Sequence, residues 1–360
     1  MTSCHGGAGA GDAFARMVGA MMQLDLRRLG NLALVFTSIA ASGCLDQAPD
    51  LGEITAELSA GDAAGRAQLA LRWAPVHYQD VDQTGSHALG GAADYITSYD
   101  FDGNLNGRDN WDHAGNPLFP LRAVAYYSVV ETSTHWFLTY LYFHPRDWTD
   151  SFFDTEHEND AEGVLLAVRR DGSTFGQLQA AVTVAHTDFF SFVPSGGSWT
   201  SGGESVDGAL QLMSLADGHH PVTAQQAKGH GLKARPFYDI VGDGVVYFPS
   251  LTTAEVPSGP DDRNVSYQLV DVLVPGGLWD QRNNPSLFAS FGSFAGDTTG
   301  GCGDGAISCS TNSANTAWGW DDHDDKPARG AMASDPAGLV RAYFTIPEAV
   351  STTYTFNPFR

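Results

Sequence analysis

The stretch "THWFLTYLYFH", Thr134 to His144, is apolar at odd and even positions alike. Successive side chains of a strand point to opposite faces, so such a run suits an inner strand covered on both sides. Around it lie more short runs rich in β-branched and aromatic residues: "RAVAYYSVVE", "GVLLAVRR", "GQLQAAVTVAH", "VVYFP", "YQLVDVLV" and "VRAYFTI". Gly, Pro, Asn or Asp bounds each of them. "NPSLFASFGSF" reads as a short helix, while "SGGSWTSGG" and "GSFAGDTTGGCGDG" read as loops. The expected fold is mainly β: a single β-sandwich with long acidic loops and a few short helices.

The N-terminal part reads differently. In "MMQLDLRRLGNLALVFTSIAASGC", Arg27 and Arg28 precede an apolar run from Leu29 to Ala41, then Ser42, Gly43 and Cys44. The run is shorter than the ~20 residues of a spanning helix and has the charge order of a secretory signal. Its ending resembles a bacterial lipobox, which implies cleavage before Cys44 and lipid attachment there. Residues before Met21 read as an over-long start. The expected organisation is a signal peptide and its leader over 1–43, a flexible tether over 44–70 and the β-sandwich over 71–360. The expected location is that of an exported lipoprotein of the outer membrane or cell surface, tied to the membrane by its N-terminal lipid.

Charge narrows the partners. The formal net charge is −23, and residues 1–44 carry +1, which leaves −24 for the remainder. A domain of that charge repels nucleic acid and attracts cations. After processing only Cys302 and Cys309 remain, in "GCGDGAISC". In an oxidising compartment they suit a small looped disulfide, with a pair of metal-binding thiols as the alternative.

The densest chemistry lies in "TEHENDAEGVLLAVRRDG". With a strand starting near Asp160, Asp160 and Glu162 share a face, and His157 can fold back over it from the entering loop. One imidazole and two carboxylates suit Ca²⁺ or Mg²⁺, with Mn²⁺ behind them, better than a structural zinc. The plain alternative is a solvated charged loop.

Here the chain resembles the necrosis-inducing, Nep-like cytolysins and a related fungal vacuolar-sorting family. The former carry G-H-R-H-D-W-E at the start of a strand, and the latter keep H-x-x-D-W-E. "EHENDAE" keeps His157, Asp160 and Glu162 at the same spacing. Glu156, Asn159 and Ala161 stand where the heptapeptide has its first Gly, second His and Trp. The resemblance implies a divalent cation held by those three residues in a central β-sandwich. It further implies a downstream His, for which "AKGHGLKARP" offers His230, and an Asp just upstream, either Asp150 or Asp147 with Asp150 preferred. His186, in "VTVAHTDFF", falls on the matching intervening strand.

Two other clusters compete. In "YDFDGNLNGRDNWDH", Asp102, Asn104, Asn106 and Gly107 match half of a calcium loop, with His113 where the closing Glu would stand. The alternative is a turn that satisfies its own backbone. "WGWDDHDDKP" could form a cation-bridged lip with two Trp for sugar stacking, or a solvated loop. "DGHHPV" reads as a turn whose His219 and His220 point apart. No G-x-S-x-G elbow or H-E-x-x-H occurs. The leading reading is a lipid-anchored protein whose acidic cavity uses a divalent cation to bind a glycan or lipid head group. A metal-dependent hydrolase using His186 or His230 to move protons, and a structural envelope protein, are the alternatives.

Overall fold

The computed structural model describes residues 57–151, 156–298, 309–311, 314–324 and 327–360. The signal peptide, Cys44 and Cys302 lie outside them, as do the side chain of Cys309 and with it the expected disulfide.

Helix α1 (Ala63–Trp73) opens the described chain, capped by the Asp62 carboxylate, which accepts from Gly65 N–H. The strands that follow are β1 (Val76–Asp80), β2 (Val124–Thr132), β3 (His135–Asp147), β4 (Glu156–Arg169) and β5 (Gln177–Ala185). Next come β6 (Asp188–Pro194), β7 (Thr200–Ser201), β8 (Val206–Leu210), β9 (Leu212–Leu215) and β10 (Gly218–Gln225). Then follow β11 (Leu232–Ala234), β12 (Gly244–Ser250) and β13 (Val265–Asp271). They hydrogen-bond in the order β11-β10-β1-β12-β13-β2-β3-β4-β5-β6-β8. β11 also lies against β4, β5 and β8, so the sheet curls until it nearly closes on itself. Where the sequence reading expects a sandwich of two sheets, the strands make one barrel-like sheet.

The two-sided strand is there. Trp136, Leu138, Tyr140 and Tyr142 of β3 join the cluster enclosed by the curl, with Leu69, Trp73, Tyr127, Val164 and Tyr267. Phe137, Leu141 and Phe143 join a second cluster on the outer face, covered by Trp199, Trp318, Trp320, Met332 and Leu339. The C-terminal segments thus supply the second cover that the apolar parity of β3 demands.

Four expectations change. The tether boundary at residue 70 falls inside α1; Leu69 and Ala70 there, and Ala60 just before it, are fully buried, so residues 57–70 pack with the folded body. "NPSLFASFGSF" makes one turn, with Leu287 and Phe288 N–H on the Asn284 carbonyl, and then a two-strand ladder turned at Gly292 (φ 81°). "VRAYFTI" is mostly helix, because Pro336 starts a turn at Pro336–Tyr343 that buries Leu339, Val340 and Tyr343 at helical spacing. His219 and His220 lie in β10 instead of a turn, with His220 buried against the Ala74 carbonyl and Asp217.

Candidate functional site

β3 and β4 pair without interruption of register from His135↔Arg169 to Asp147↔His157. Along β4, Val164, Leu166 and Val168 face the inner core, and the same parity carries Glu162 and Asp160 to the mouth of the curl. His144 sits opposite Asp160, and Tyr142 opposite Glu162. The carboxylates therefore extend the core face of the longest strand, which is why both are almost fully buried.

Each is held by elements remote in sequence. Asp160 accepts from Ala161 N–H (2.8 Å) and from His230 Nδ1 (3.0 Å). Glu162 accepts from His186 N–H (2.6 Å) and Leu232 N–H (3.1 Å). Burial pushes the Glu162 carboxyl well above its ordinary value, and the charge of Asp160 adds to the push.

His230 is fully buried. Its Nδ1 meets Asp160 while its Nε2 faces Asp94 Oδ1 at 3.3 Å, and its ring stacks on His144 at 3.7 Å. Burial favours the neutral ring, but the two carboxylates win and raise it to about 9. His144 goes the other way, well below the ordinary value, through burial and then the charge of His230. The two stacked rings are thus driven in opposite directions. Without an ion, His230 lies between two carboxylates, one facing each ring nitrogen.

His157 is different. Its Nδ1 lies against the carbonyls of Asn159 (2.9 Å) and Glu158 (3.2 Å), which fixes the proton there. Its Nε2 faces Asp147 Oδ2 at 3.2 Å. Burial would lower its pKa, yet Asp147 and then Asp160 raise it to about 9. Asn159, at φ 60°, turns the strand entry, and its side chain donates to the Gly107 and Ala295 carbonyls while accepting from Asn110. Of the two upstream carboxylates that the resemblance offers, Asp147 is the one against His157. Asp150 instead pairs with Lys228 at 2.6 Å, out toward solvent.

His186, 54 % exposed, is the open imidazole of the group, with Nδ1 3.8 Å from Glu162. The loop below it packs close to the ring. A Cβ on Gly229 or Gly231 would come within 3.0 or 3.1 Å of the His186 ring. Non-glycine residues at positive φ are Asn159, His186, Lys228, His230 and Leu89, and four of these five line the site. Backbone of that kind persists where surrounding structure enforces it, and it gathers at ligand sites. Beside Lys228 opens a groove of about 890 Å³, lined by Asp80, Asp82, Gln83, Gln226, Lys228 and Asp243.

The donor set fits a hard divalent ion in kind: carboxylate oxygens, plus one imidazole whose Nε2 faces Asp147. It does not close as drawn. Among the described residues, trios whose ligand atoms all lie within 4.8 Å are Asp102–Asp109–His113 and Asp188–Asp322–Asp324, and no β4 residue belongs to either. The carboxylates raise His157 and His230 to about 9, which favours their protonated rings when no ion is bound.

The expected calcium loop is built mainly from its own turns. Asn104 N–H bonds Asp102 Oδ1, Asn106 N–H bonds Asn104 Oδ1, and Arg108 N–H bonds Asn106 Oδ1. Asp102 Oδ2 meets His113 Nδ1 at 2.6 Å. Asp109 joins the trio in place of Asn106. The sugar-stacking lip is corrected, since Trp318 and Trp320 are buried and Trp320 donates to the Ala161 carbonyl behind β4. Sequence reasoning missed Asp94 and His144. The signal for His144 was a lone polar residue ending an inner strand; Asp94, in "GGAADY", had none.

No protein-family model and no curated protein matches the chain. Among solved structures, similar folds occur in necrosis-inducing toxin-fold proteins at low identity. NLPPya in complex with mannosamine is 14 % identical, over 81 % of this chain and 95 % of that one, with a TM-score of 0.34. The non-toxic HaNLP3 protein is 10 % identical, over 51 % and 73 %, with a TM-score of 0.30. Necrosis and Ethylene inducing Protein 2, from the causal agent of cocoa's witches' broom disease, is 13 % identical over 46 % and 66 %, at 0.27. At these scores the likeness carries no argument about function.

Proposed function

We propose that this chain is a lipid-anchored exported protein that holds one divalent cation at the mouth of its curled sheet. Through that ion it binds a glycan or lipid head group. His157 Nε2, Asp147 and Asp160 would hold the ion, with Glu162 behind them and His230 steering Asp160. An ion with open coordination positions offers Lewis acidity to the hydroxyl or phosphate oxygens of a ligand. The observation that carries the reading is His157 with its Nδ1 turned to two carbonyls and its Nε2 against Asp147, on the strand whose Asp160 and Glu162 are buried. The H-x-x-D-x-E resemblance supports it, and so does a charge of −23 that draws cations. Exposed His186 favours a second reading, a metal-dependent hydrolase in which that ring moves protons at the mouth.

Metal analysis of the purified chain, with calorimetric titration of Ca²⁺, Mg²⁺ and Mn²⁺ after chelation, tests this. One equivalent of ion is expected, lost in Asp160→Asn and in His157→Ala and kept in Asp102→Asn. Binding that disappears in Asp102→Asn and persists in Asp160→Asn would move the site to the 102–113 loop. Turnover of glycosides or phosphoesters that needs both the ion and His186 would decide for the hydrolase.

A further inference from the structure

The loop that presents His230 runs from Gln226 to Gly231, between β10 and β11. Two buried glutamines hold it at its two ends. Gln79 of β1 and Gln225 of β10 lie side by side in register, and both are almost fully buried. Gln79 Nε2 donates to the Gln226 carbonyl at 3.0 Å, and Gln225 Nε2 to the His230 carbonyl at 2.6 Å. A backbone bond from Gln226 N–H to the Gly231 carbonyl, also 3.0 Å, closes the loop. Inside it Lys228 and His230 sit at φ 73° and 50°, a conformation that persists where its surroundings enforce it.

Gln225 has a second grip on His230. Its Oε1 lies 3.2 Å from His144 Nε2, and the His144 ring stacks on the His230 ring at 3.7 Å, with 5° between the planes. Chemistry decides which end of the amide faces which partner. A backbone carbonyl only accepts, so the amide nitrogen must be the end at His230. The Oε1 at the other end only accepts as well, so His144 Nε2 must carry a hydrogen. An ionised glutamate here would set an oxygen against the His230 carbonyl. Methionine would leave both buried partners without their bond.

We propose that Gln225 is a positioning residue for the cation site. It holds His230 by the backbone carbonyl and by the ring on its face, and so fixes the side chain that meets Asp160 at 3.0 Å. Groups that stand behind a metal's ligands set how those ligands point, and losing one typically weakens the ion by about 10–100-fold. The link to ion binding rests on the function proposed above; the grip on His144 and His230 does not.

The experiment compares the full chain with Gln225→Met, which keeps the length of the side chain and removes both bonds. Both are labelled with ¹⁵N-histidine and freed of metal, and two-bond ¹H–¹⁵N spectra report which ring nitrogens carry hydrogens. In the parent chain His144 Nε2 should be protonated. In Gln225→Met that hydrogen should no longer be confined to Nε2, the His230 ring signals should shift, and the far-UV circular dichroism should stay the same. Destabilisation alone would not move the His144 hydrogen. Calorimetric titration with Ca²⁺ should show binding about 10–100-fold weaker in the variant. A parent chain whose His144 hydrogen sits on Nδ1 alone overturns the inference, even if the variant fails to fold. So does a variant whose His230 signals stay in place, or one that binds Ca²⁺ as tightly as the parent. A parent chain that binds no Ca²⁺ sinks the cation reading, and the grip on His230 is then decided by whether its signals move in Gln225→Met.

Discussion

The mouth of β4 and the 102–113 loop contain the same ingredients, two or three carboxylates and a histidine, yet they solve the crowding problem differently. In the loop most bonds are local. Residues two apart cap each other's N–H groups, and Asp102 finds His113 only eleven residues away. At β4 the partners are remote: Asp160 meets His230 70 residues on, and Glu162 meets Leu232 equally far on. Local turns form wherever the sequence allows them. Carboxylates on the core face of a strand become buried only when the whole sheet folds, and their charge must then be answered by something equally remote. The contrast predicts that β4 substitutions report on global stability and on protons, and loop substitutions on neither.

The largest effect is expected from His230→Leu. It leaves Asp160 and Asp94 buried without their shared counter-charge, and breaking such a pair costs about 3–5 kcal/mol. Urea unfolding at pH 7 without added metal should show it. A loss below about 1 kcal/mol would mean that the pair carries little of the fold.

Next comes a pH slope. His157 and His230 are raised to about 9 in the fold, against an ordinary value near 6.5. A raised imidazole contributes its stability fully below pH 6.5 and loses it as pH climbs through 9. Each group accounts for on the order of 3 kcal/mol across that window. Metal-free protein should therefore weaken from pH 6.5 to 9, and ion binding at neutral pH should release close to one proton as His157 gives up its charge. Glu158 adds a separate limb. Its carboxyl is raised to about 7, chiefly by burial, so its ionisation weakens the fold between roughly pH 4.5 and 7. A melting temperature flat from pH 6.5 to 9 without metal would contradict the imidazolium assignment.

A smaller loss is expected from Asn159→Gly. Glycine accepts φ 60° without strain, so the change isolates the three side-chain hydrogen bonds of Asn159. The partners are buried, so water entering the space the side chain vacates must take over these bonds for the loss to stay near about 1 kcal/mol each. A loss of about 1–3 kcal/mol with weakened ion binding is expected, because His157 takes its aim from this turn. Unchanged ion affinity would separate His157 from Asn159.

What the sequence could show follows the same line between local and remote. Short β-branched and aromatic runs bounded by Gly, Pro, Asn or Asp located β2, β3, β4, β5, β12 and β13, because strand propensity and its punctuation lie in adjacent residues. The spacing of His157, Asp160 and Glu162 placed two carboxylates on one face for the same reason. Closure of the sheet was illegible, since β11 reaches β5 through contacts that no local pattern records. Asp94 was illegible too. It is fully buried and accepts from Trp148 Nε1, Lys228 N–H and Asp82 N–H, all bonds decided by tertiary packing. Which of Asp147 and Asp150 would meet His157 was illegible, since Lys228, remote in sequence, pairs with Asp150. "VRAYFTI" misled because three apolar residues at helical spacing also satisfy a short strand pattern.

The smallest effect sharpens the comparison from the loop side. Asp102→Asn keeps the shape of the side chain and one oxygen, so the cap on Asn104 N–H survives if the amide oxygen takes the Oδ1 position. The amide nitrogen then faces His113 Nδ1, which can accept once its proton moves to the other ring nitrogen. The Asn104 amide loses its 2.7 Å partner but keeps Asp109 Oδ2 at 3.2 Å. One hydrogen bond is exchanged and one weakened, in a loop that leaves His113 about a third exposed. The expected cost is about 1 kcal/mol, with the β4 ion site and the alkaline limb both unchanged. A loss above about 3 kcal/mol would show that the loop is bound into the global fold as tightly as β4. Loss of the bound ion would show that the spacing of Asp102, Asp109 and His113, and not the mouth of β4, marks the cation site.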